Sequence, residues 1–344
     1  MIDNNTICAV VVTYNRKDML VKCLKALLRQ THALNAIYII DSASTDGTLD
    51  FLTKERFIKD ASTLANGSIV GKNKMCISLK GDEKKHINIH YTRMPKNVGG
   101  AGGFYEGVKA AYRNNYDWIW VMDDDVYAEN NCLSELFNMY RVIENEKNVK
   151  PAALACARSY VNGNLANGEV KRINLTDPFK GFYQRRISKE DMCKKYFKIE
   201  GATFEGLMIN KKIVSKVGFP DSRFFIYSDD TDYCLRILRL GKIYYVPSAK
   251  IIKMRAIEKK LGLKYGWTKY YMLRNFIYLN MKYAVLSAKL SRISYELVRS
   301  FLGRIFYRHF KDAFLRIKCL RDAYKMLKED RLSNLQITKM DKKL

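Results

Sequence analysis

Residues 115–130 read NYDWIWVMDDDVYAEN, in which an apolar run from Trp118 to Met122 meets three adjacent carboxylates, Asp123, Asp124 and Asp125. The run predicts a buried strand, and three neighbouring acids at its end repel one another unless positive charge lies close by. Because side chains alternate along a strand, Asp123 and Asp125 point to the same side and can converge on one cation. Mg²⁺ or Mn²⁺ bridged to a diphosphate is the predicted occupant. A solvated helix N-cap with two spare acids is the simpler alternative.

The N-terminal third alternates between strand and helix patterns. ICAVVVT (7–13) and NAIYIIDSAS (35–44) predict buried strands, and the segment between them repeats apolar residues at helical spacing. This alternation predicts a parallel sheet, in which ligands bind beyond the carboxyl ends of the strands. Polar residues stand at both of these strand ends: Thr13, Tyr14, Asn15 and Asp41.

Two further segments complete this part of the chain. Residues 60–85 are polar and contain scattered glycines, which predicts an excursion or small hairpin outside the core. NVGGAGGF (97–104) predicts a glycine-rich turn that leads into a helix, where free N–H groups could meet an anion. It lacks the Gly-x-Gly-x-x-Gly spacing of dinucleotide sites and a Walker lysine, so a turn without a ligand is the alternative.

A second acidic cluster lies in YSDDTDYCLRILRLG (227–241), where Asp229, Asp230 and Asp232 open a predicted helix. Asp232 and Arg236 stand four residues apart and form a predicted ion pair. A carboxylate at a helix start that faces a cleft suits a general base. Helix capping is the alternative, although it explains one acid and not three.

Composition and charge limit the class of protein. The 344 residues are 48% hydrophobic and 28% charged, which is globular and not disordered. The scattered cysteines lack a Cys-x-x-Cys pair, which argues against a zinc site or a disulfide framework. We find no signal peptide and no apolar run long enough to span a bilayer, so we expect the protein to stay on the cytoplasmic side.

The net charge of +26 is concentrated in the C-terminal part, because residues 250–344 contain 24 basic and 7 acidic residues. Beyond residue 262 the pattern is mostly helical, with Arg and Lys between Leu, Phe, Ile and Tyr. Such a region is either a helical subdomain with solvated arginines or a helical surface for an anionic membrane, and both can be true.

In order, Thr-Tyr-Asn, DSASTDGT, NVGGAGG, MDDDV and SDDTDYCLR resemble the inverting glycosyltransferases of family 2, which have the GT-A fold. The resemblance covers about residues 5–255. NVGGAGGF and the later WTKYYMLRN look most like bacterial galactofuranosyltransferases and related rhamnosyltransferases. It implies an α/β nucleotide-sugar-binding fold with a mostly parallel central sheet, a catalytic domain over residues 1–255 and a basic helical region over 256–344.

The resemblance also implies roles for individual residues. Asp230 would deprotonate the acceptor, and Asp123 and Asp125 would hold Mn²⁺ or Mg²⁺. The implied donor-binding residues are Thr13, Tyr14, Asn15, Asp41, Arg93, Asn97, Gly99, Gly100, Asp123, Asp124 and Lys253. Many relatives have a metal-binding histidine near the position of Lys253, so this lysine either supplies positive charge to the diphosphate or leaves the metal to the Asp pair and water. Asp229 stands where the family motif has Glu.

The implied function is transfer of a sugar, galactofuranose from UDP-galactofuranose being the best expectation, onto a lipid-linked glycan for a cell-surface polysaccharide such as capsule or O-antigen. The enzyme would be peripheral on the inner face of the plasma membrane. A dTDP-rhamnose-dependent rhamnosyltransferase is the alternative within the family. A basic nucleic-acid-binding protein, a nucleotidyltransferase and a GT-A module without activity are alternatives from other classes, and no nucleic-acid partner is expected.

Overall fold

A computed structural model describes residues 5–78, 84–166, 168–254, 267–306 and 310–341. The chain divides into two compact units, Met1–Arg172 with Arg185–Phe225 and Asp229–Lys259, and Ile173–Gln184 with Ile226–Ser228 and Lys260–Leu344. The predicted domain boundary at residues 255 and 256 lies outside the described residues.

The strands are β1 Ile7–Thr13, β2 Ala36–Asp41, β3 Asp60–Thr63, β4 Ile69–Ser78, β5 Lys84–Arg93, β6 Trp118–Asp123, β7 Val126–Ala128, β8 Ala153–Tyr160, β9 Val170–Ile173, β10 Tyr183–Arg186, β11 Phe197–Ile199, β12 Leu207–Asn210 and β13 Ile243–Lys253. The α-helices are α1 Lys17–Leu28, α2 Thr48–Lys54, α3 Gly99–Arg113, α4 Cys132–Lys147, α5 Lys211–Val217, α6 Asp229–Leu238, α7 Thr268–Tyr283, α8 Leu286–Phe306 and α9 Phe310–Asp341.

The main sheet has 11 strands in the order β11-β13-β8-β12-β6-β1-β2-β5-β4-β3, with β7 paired to β13. The pairs β6–β1, β1–β2 and β2–β5 are parallel, and β8 is parallel to β13. β12 runs antiparallel between β6 and β8. This is the predicted α/β architecture with a mostly parallel core, and it brings the ends of β1, β2 and β6 to one edge.

The sheet is covered on both faces because its central strands are apolar throughout. Every residue of β1 is buried, and its side chains alternate between two clusters. One cluster contains the apolar faces of α1 and α4, and the other contains those of α3 and α6. A continuous apolar run is what a strand covered on both faces requires.

The glycine-rich stretch lies inside α3, which begins at Gly99, so the prediction of a turn before the helix is wrong. Two glycines allow close packing instead: a Cβ at Gly103 would lie 2.5 Å from Val12 Cγ1, and one at Gly107 would lie 2.3 Å from Val10 Cγ1. A Cβ at Gly100 would meet no heavy atom within 4 Å. The stretch therefore serves helix–sheet packing at some positions and leaves open space at Gly100.

Residues 60–78 form the predicted hairpin, with β3 and β4 antiparallel. β4 also pairs with β5, so the hairpin extends the edge of the main sheet. All four side chains of β3 are exposed, as expected for a segment outside the core.

The second unit contains α7, α8 and α9, in agreement with the predicted helical pattern. Asn275 on α7 is fully buried, and its Nδ2 donates to the carbonyls of Ile226 (2.9 Å) and Tyr227 (2.8 Å). Among the described helices, none combines the length and apolar content that a membrane-spanning segment requires.

Candidate active site

The acidic turn begins where β6 ends. Asp124 is 1% exposed, and both of its carboxylate oxygens have partners. Oδ2 accepts a hydrogen bond from Thr13 Oγ1 at 2.6 Å, and Oδ1 accepts one from Arg16 Nη1 at 2.7 Å. Asp124 therefore fastens the carboxyl end of β1 to the end of β6, and its carboxylate is committed to these partners.

The other two acids of the turn meet a third acid from a distant part of the sequence. Asp123, Asp125 and Glu205 each place one carboxylate oxygen within 4.8 Å of the others. Glu205 precedes β12, which lies beside β6. We name these three residues the acid cluster.

Two basic side chains lie against the acid cluster. Arg16 Nη1 is 3.5 Å from Asp125 Oδ2, and Lys253 Nζ is 3.7 Å from Asp125 Oδ1 and also pairs with Glu205. These side chains supply part of the positive charge that the acidic trio demands. Burial and the charge of Asp125 nevertheless raise the pKa of Asp123 to about 7, while Lys253 acts in the opposite direction.

The donor atoms of the acid cluster fit a hard divalent cation. Carboxylate oxygens are the ligands that Mg²⁺ and Mn²⁺ prefer. Asp125 is buried, and its Oδ1 has no hydrogen-bond partner in the part of the chain that the structure describes. A buried oxygen without a partner is costly, which favours a bound cation at this position.

Glu205 also belongs to a buried ionic network. Arg158 pairs with Glu205 and, through Nε, with Glu169 Oε1 at 2.8 Å. All three side chains are buried. Arg158 contacts Glu205 through Oε2, and Lys253 contacts it through Oε1.

The residues at the end of β2 fix a loop. Asp41 is 0% exposed; its Oδ1 accepts from the Ser44 N–H at 2.7 Å, and its Oδ2 accepts from the Tyr91 hydroxyl at 2.7 Å. Arg93 Nη2 donates to the Ser44 carbonyl at 3.0 Å. Asn15 Oδ1 accepts from the Thr45 N–H at 2.7 Å. Asp41, Arg93 and Asn15 thus order the loop after β2.

Tyr14 and the start of α3 flank this loop. The Tyr14 side chain is exposed. Asn97 Oδ1 accepts from the Gly99 N–H at 2.8 Å, and the Gly99 carbonyl accepts from Ser42 Oγ at 3.2 Å. The predicted donor-binding residues of β1, β2 and α3 therefore gather at one edge of the sheet, with Tyr14 and Gly100 facing open space.

The three acids of α6 have different surroundings. Asp232 is fully buried and pairs with Arg236 at 2.9 Å, which confirms the predicted ion pair. Burial, followed by the charge of Asp230, raises the pKa of Asp229 to about 8. Burial raises the pKa of Asp230 to about 6, although hydrogen bonds from Thr231 oppose the shift. Asp230 is partly exposed, so it combines access with a pKa suited to proton transfer near neutral pH.

Asp230 is electrostatically linked to the acid cluster. The positive charge of Arg158 lowers its pKa, and the negative charge of Glu169 raises it. Because Arg158 also pairs with Glu205, one guanidinium acts on both acidic sites. Arg158 therefore lies close enough to both acidic groups to act on each of them.

Sequence reasoning missed Arg16, Arg158 and Glu205. Arg16 directly follows the Thr-Tyr-Asn segment, and this adjacency was the available signal. Glu205 stands directly before Gly206, a position that favours glycine because φ is +104° and Ile251 lies close. The charged partners of Glu205 lie 47 and 48 residues away in the sequence. No local pattern connects it to them.

Comparison with known proteins gives the family. The model of glycosyl transferase family 2 matches residues 8–62 and 78–218, more than half of the chain. Galactofuranosyltransferase GlfT1 of Mycobacterium tuberculosis is 26% identical over 69% of this chain. The chain covers 66% of that protein, just under two thirds of its length. The dTDP-rhamnosyl transferase RfbF of Shigella flexneri is 22% identical over 87% of this chain and 88% of its own length.

Solved structures share the fold at low sequence identity. The crystal structure of GalNAc-T7 with UDP, GalNAc and Mn²⁺ has a TM-score of 0.58 and 13% identity, and it covers 96% of this chain and 58% of its own. The structure of S. aureus TarS residues 1–349 with UDP-GlcNAc has a TM-score of 0.50 and 14% identity. The match covers 92% of this chain and 80% of the TarS chain. The chain therefore belongs to glycosyl transferase family 2 and has the GT-A fold.

Proposed function

We propose that the protein transfers a sugar from a nucleotide-sugar donor to a saccharide hydroxyl with inversion of configuration. The observation that carries the proposal is the acid cluster with its two basic neighbours, and the partly exposed Asp230, on which the charge of Arg158 also acts, supports it. Positive groups suit a leaving diphosphate, and a carboxylate with a pKa of about 6 suits an acceptor hydroxyl.

The chemistry follows from these roles. Asp230 accepts the proton of the acceptor hydroxyl while the acceptor oxygen forms a bond to the anomeric carbon. The bond from that carbon to the diphosphate oxygen breaks, and its electron pair leaves with the nucleoside diphosphate. Mn²⁺ or Mg²⁺ held by Asp123 and Asp125 would neutralise charge on the diphosphate. Arg16 and Lys253 contribute further positive charge, and attack opposite to the leaving group inverts the anomeric carbon.

The names of relatives support a choice of donor, and the acceptor is part of the same proposal. Names of relatives include a galactofuranosyltransferase and a dTDP-rhamnosyl transferase, and UDP or UDP-GlcNAc is bound in structural neighbours. UDP-galactofuranose is our first candidate donor and dTDP-rhamnose the second. A lipid-linked glycan is the proposed acceptor, in synthesis of a cell-surface polysaccharide.

Thermal unfolding with added nucleotide tests the donor site. UDP with Mn²⁺ should raise the unfolding midpoint, because a ligand present at 100 times its Kd stabilises the native state by about 2.7 kcal/mol. Asp125→Ala should abolish this stabilisation, whereas Asp60→Ala, which removes an exposed carboxylate, should retain it. Stronger stabilisation by dTDP than by UDP would favour dTDP-rhamnose as the donor. The proposal fails if no nucleotide diphosphate stabilises the wild-type protein.

Exposed apolar side chains on two C-terminal helices support membrane association. On α8 these residues recur at helical spacing: Leu286, Leu290, Leu297, Val298, Phe301 and Leu302. On α9, Phe314, Ile317 and Tyr324 are exposed beside Lys318 and Lys325. Apolar and basic groups together suit an anionic lipid surface, where each basic residue contributes about 1 kcal/mol. We propose peripheral attachment to the inner face of the plasma membrane.

Co-sedimentation with lipid vesicles tests this attachment. The protein should bind phosphatidylglycerol vesicles more tightly than phosphatidylcholine vesicles, and added salt should weaken the binding. Phe301→Asp should reduce the affinity by at least about tenfold, since burial of an aromatic side chain contributes about 1.5–3 kcal/mol. Leu240→Asp, at a residue that is exposed after α6, should leave the affinity unchanged. Equal binding to both lipids would contradict the proposal.

A further inference from the structure

Lys253 occupies the place where positive charge is needed at the acid cluster. Its ammonium pairs with Glu205 and lies 3.7 Å from Asp125 Oδ1, so it contacts two of the three acids that could hold a divalent ion. That oxygen of Asp125 is buried and has no hydrogen-bond partner among the described residues. Asp125 and Glu205 would therefore be shared by the lysine and by any metal at this site.

The backbone fixes Lys253 in this position. Lys253 is the last residue of β13 and pairs with Val126 of β7. Val126 directly follows Asp125 in the sequence. The next residue, Met254, donates its N–H to the Asp125 carbonyl at 2.8 Å. On its other side, β13 pairs with β8, which carries Arg158. Strand register thus fixes the backbone of Lys253 next to Asp125, which keeps the lysine side chain close to the acids.

Electrostatics makes the ammonium and a divalent ion compete. Carboxylate oxygens bind Mg²⁺ at about 2.0–2.1 Å, and an ammonium close to the same oxygens would repel the ion at short range. The lysine also neutralises charge that would otherwise attract the metal. A metal can bind fully only when the ammonium leaves the space between Asp125 and Glu205.

We propose that Lys253 is a built-in competitor for the divalent cation at the acid cluster, which weakens metal binding by the free protein. This inference rests on the proposed donor site and adds a control on its metal occupancy. The ammonium that the metal displaces remains close to the site and is available to a diphosphate.

Mn²⁺ titration without nucleotide tests the competition, with free Mn²⁺ measured by electron paramagnetic resonance. Lys253→Met should bind Mn²⁺ at least about tenfold more tightly than the wild-type protein, because it removes the competing charge. Lys253→Arg keeps a positive charge and should bind as weakly as the wild type. Lys250→Met removes an exposed charge from the same strand and should also match the wild type.

Two results would overturn the inference: Lys253→Met binds Mn²⁺ no more tightly than the wild type, or Lys253→Arg binds it as tightly as Lys253→Met. If Lys253→Met fails to fold, Lys253→Gln provides a second neutral side chain and should bind Mn²⁺ more tightly than the wild type. UDP binding is measured separately with saturating Mn²⁺. Its absence would remove the proposed donor site, while the comparison of Mn²⁺ affinities would still decide the competition.

Discussion

Replacing Asp230 with asparagine should lower the rate of glycosyl transfer by about 10²- to 10⁴-fold, the usual contribution of a general base. Asparagine keeps the shape of the side chain and can still accept the Thr231 N–H, but it cannot take a proton. UDP binding should remain, because Asp230 is proposed to act on the acceptor. The measurement is the steady-state rate of transfer beside the nucleotide-induced shift in unfolding midpoint.

The pH dependence and a neighbouring acid provide the control. Asp230 acts as a base only when it is deprotonated, so the rate should rise with pH through about 6. Asp229 has its pKa raised to about 8 and is mostly protonated at neutral pH, so Asp229→Asn should lower the rate by less than about tenfold. If Asp229→Asn is as inactive as Asp230→Asn, or if the acid limb near pH 6 is absent, the assignment is wrong.

Asp124→Ala should lower the free energy of unfolding by about 3 kcal/mol, because it leaves the buried Thr13 hydroxyl without its acceptor and removes the closest partner of Arg16. The cost is structural and should appear without any substrate. Urea unfolding monitored by tryptophan fluorescence suits the measurement, since Trp118 and Trp120 lie on β6 itself.

Two comparisons make the Asp124 result specific. Asp124→Asn retains oxygen and loses charge, so it should cost less than Asp124→Ala. Asp60→Ala removes an exposed carboxylate and should change the unfolding free energy by no more than about 0.5 kcal/mol. A stability of Asp124→Ala equal to that of Asp60→Ala would show that the brace between β1 and β6 contributes nothing.

Much of the architecture could be predicted because it is encoded in local patterns. The apolar runs of β1, β2 and β6 and the helical spacing of α1 and α6 are properties of neighbouring residues. The Asp232–Arg236 pair also follows from a four-residue separation. These features need no knowledge of the tertiary structure. Asp123 and Asp125 converge as predicted, but β6 ends at Asp123 and Asp125 lies in the turn that follows, so alternation along one strand is not the reason.

The contacts of the site that could not be predicted from the sequence depend on strand order. Glu205 reaches Asp123 because β12 inserts antiparallel between β6 and β8, an arrangement that no local pattern predicts. Lys253 meets Asp125 because β13 pairs with the short β7. The resemblance implies a donor-binding role for Asp41, and the structure adds that its carboxylate accepts from Tyr91 and Ser44 and orders the loop after β2.

The hairpin of β3 and β4 has a consequence for association between copies. Most of it lies within residues 63–77, the gap between the two segments that match the family model. Without it, the 10 residues of β5 would offer unpaired backbone groups along the margin of the sheet; with it, the outermost strand has four residues. Short outer strands are one way in which proteins avoid edge-to-edge aggregation. Because β3 covers the Ile69–Lys72 part of β4, we expect weaker edge-to-edge pairing between molecules at that end of the sheet than a bare β5 would allow.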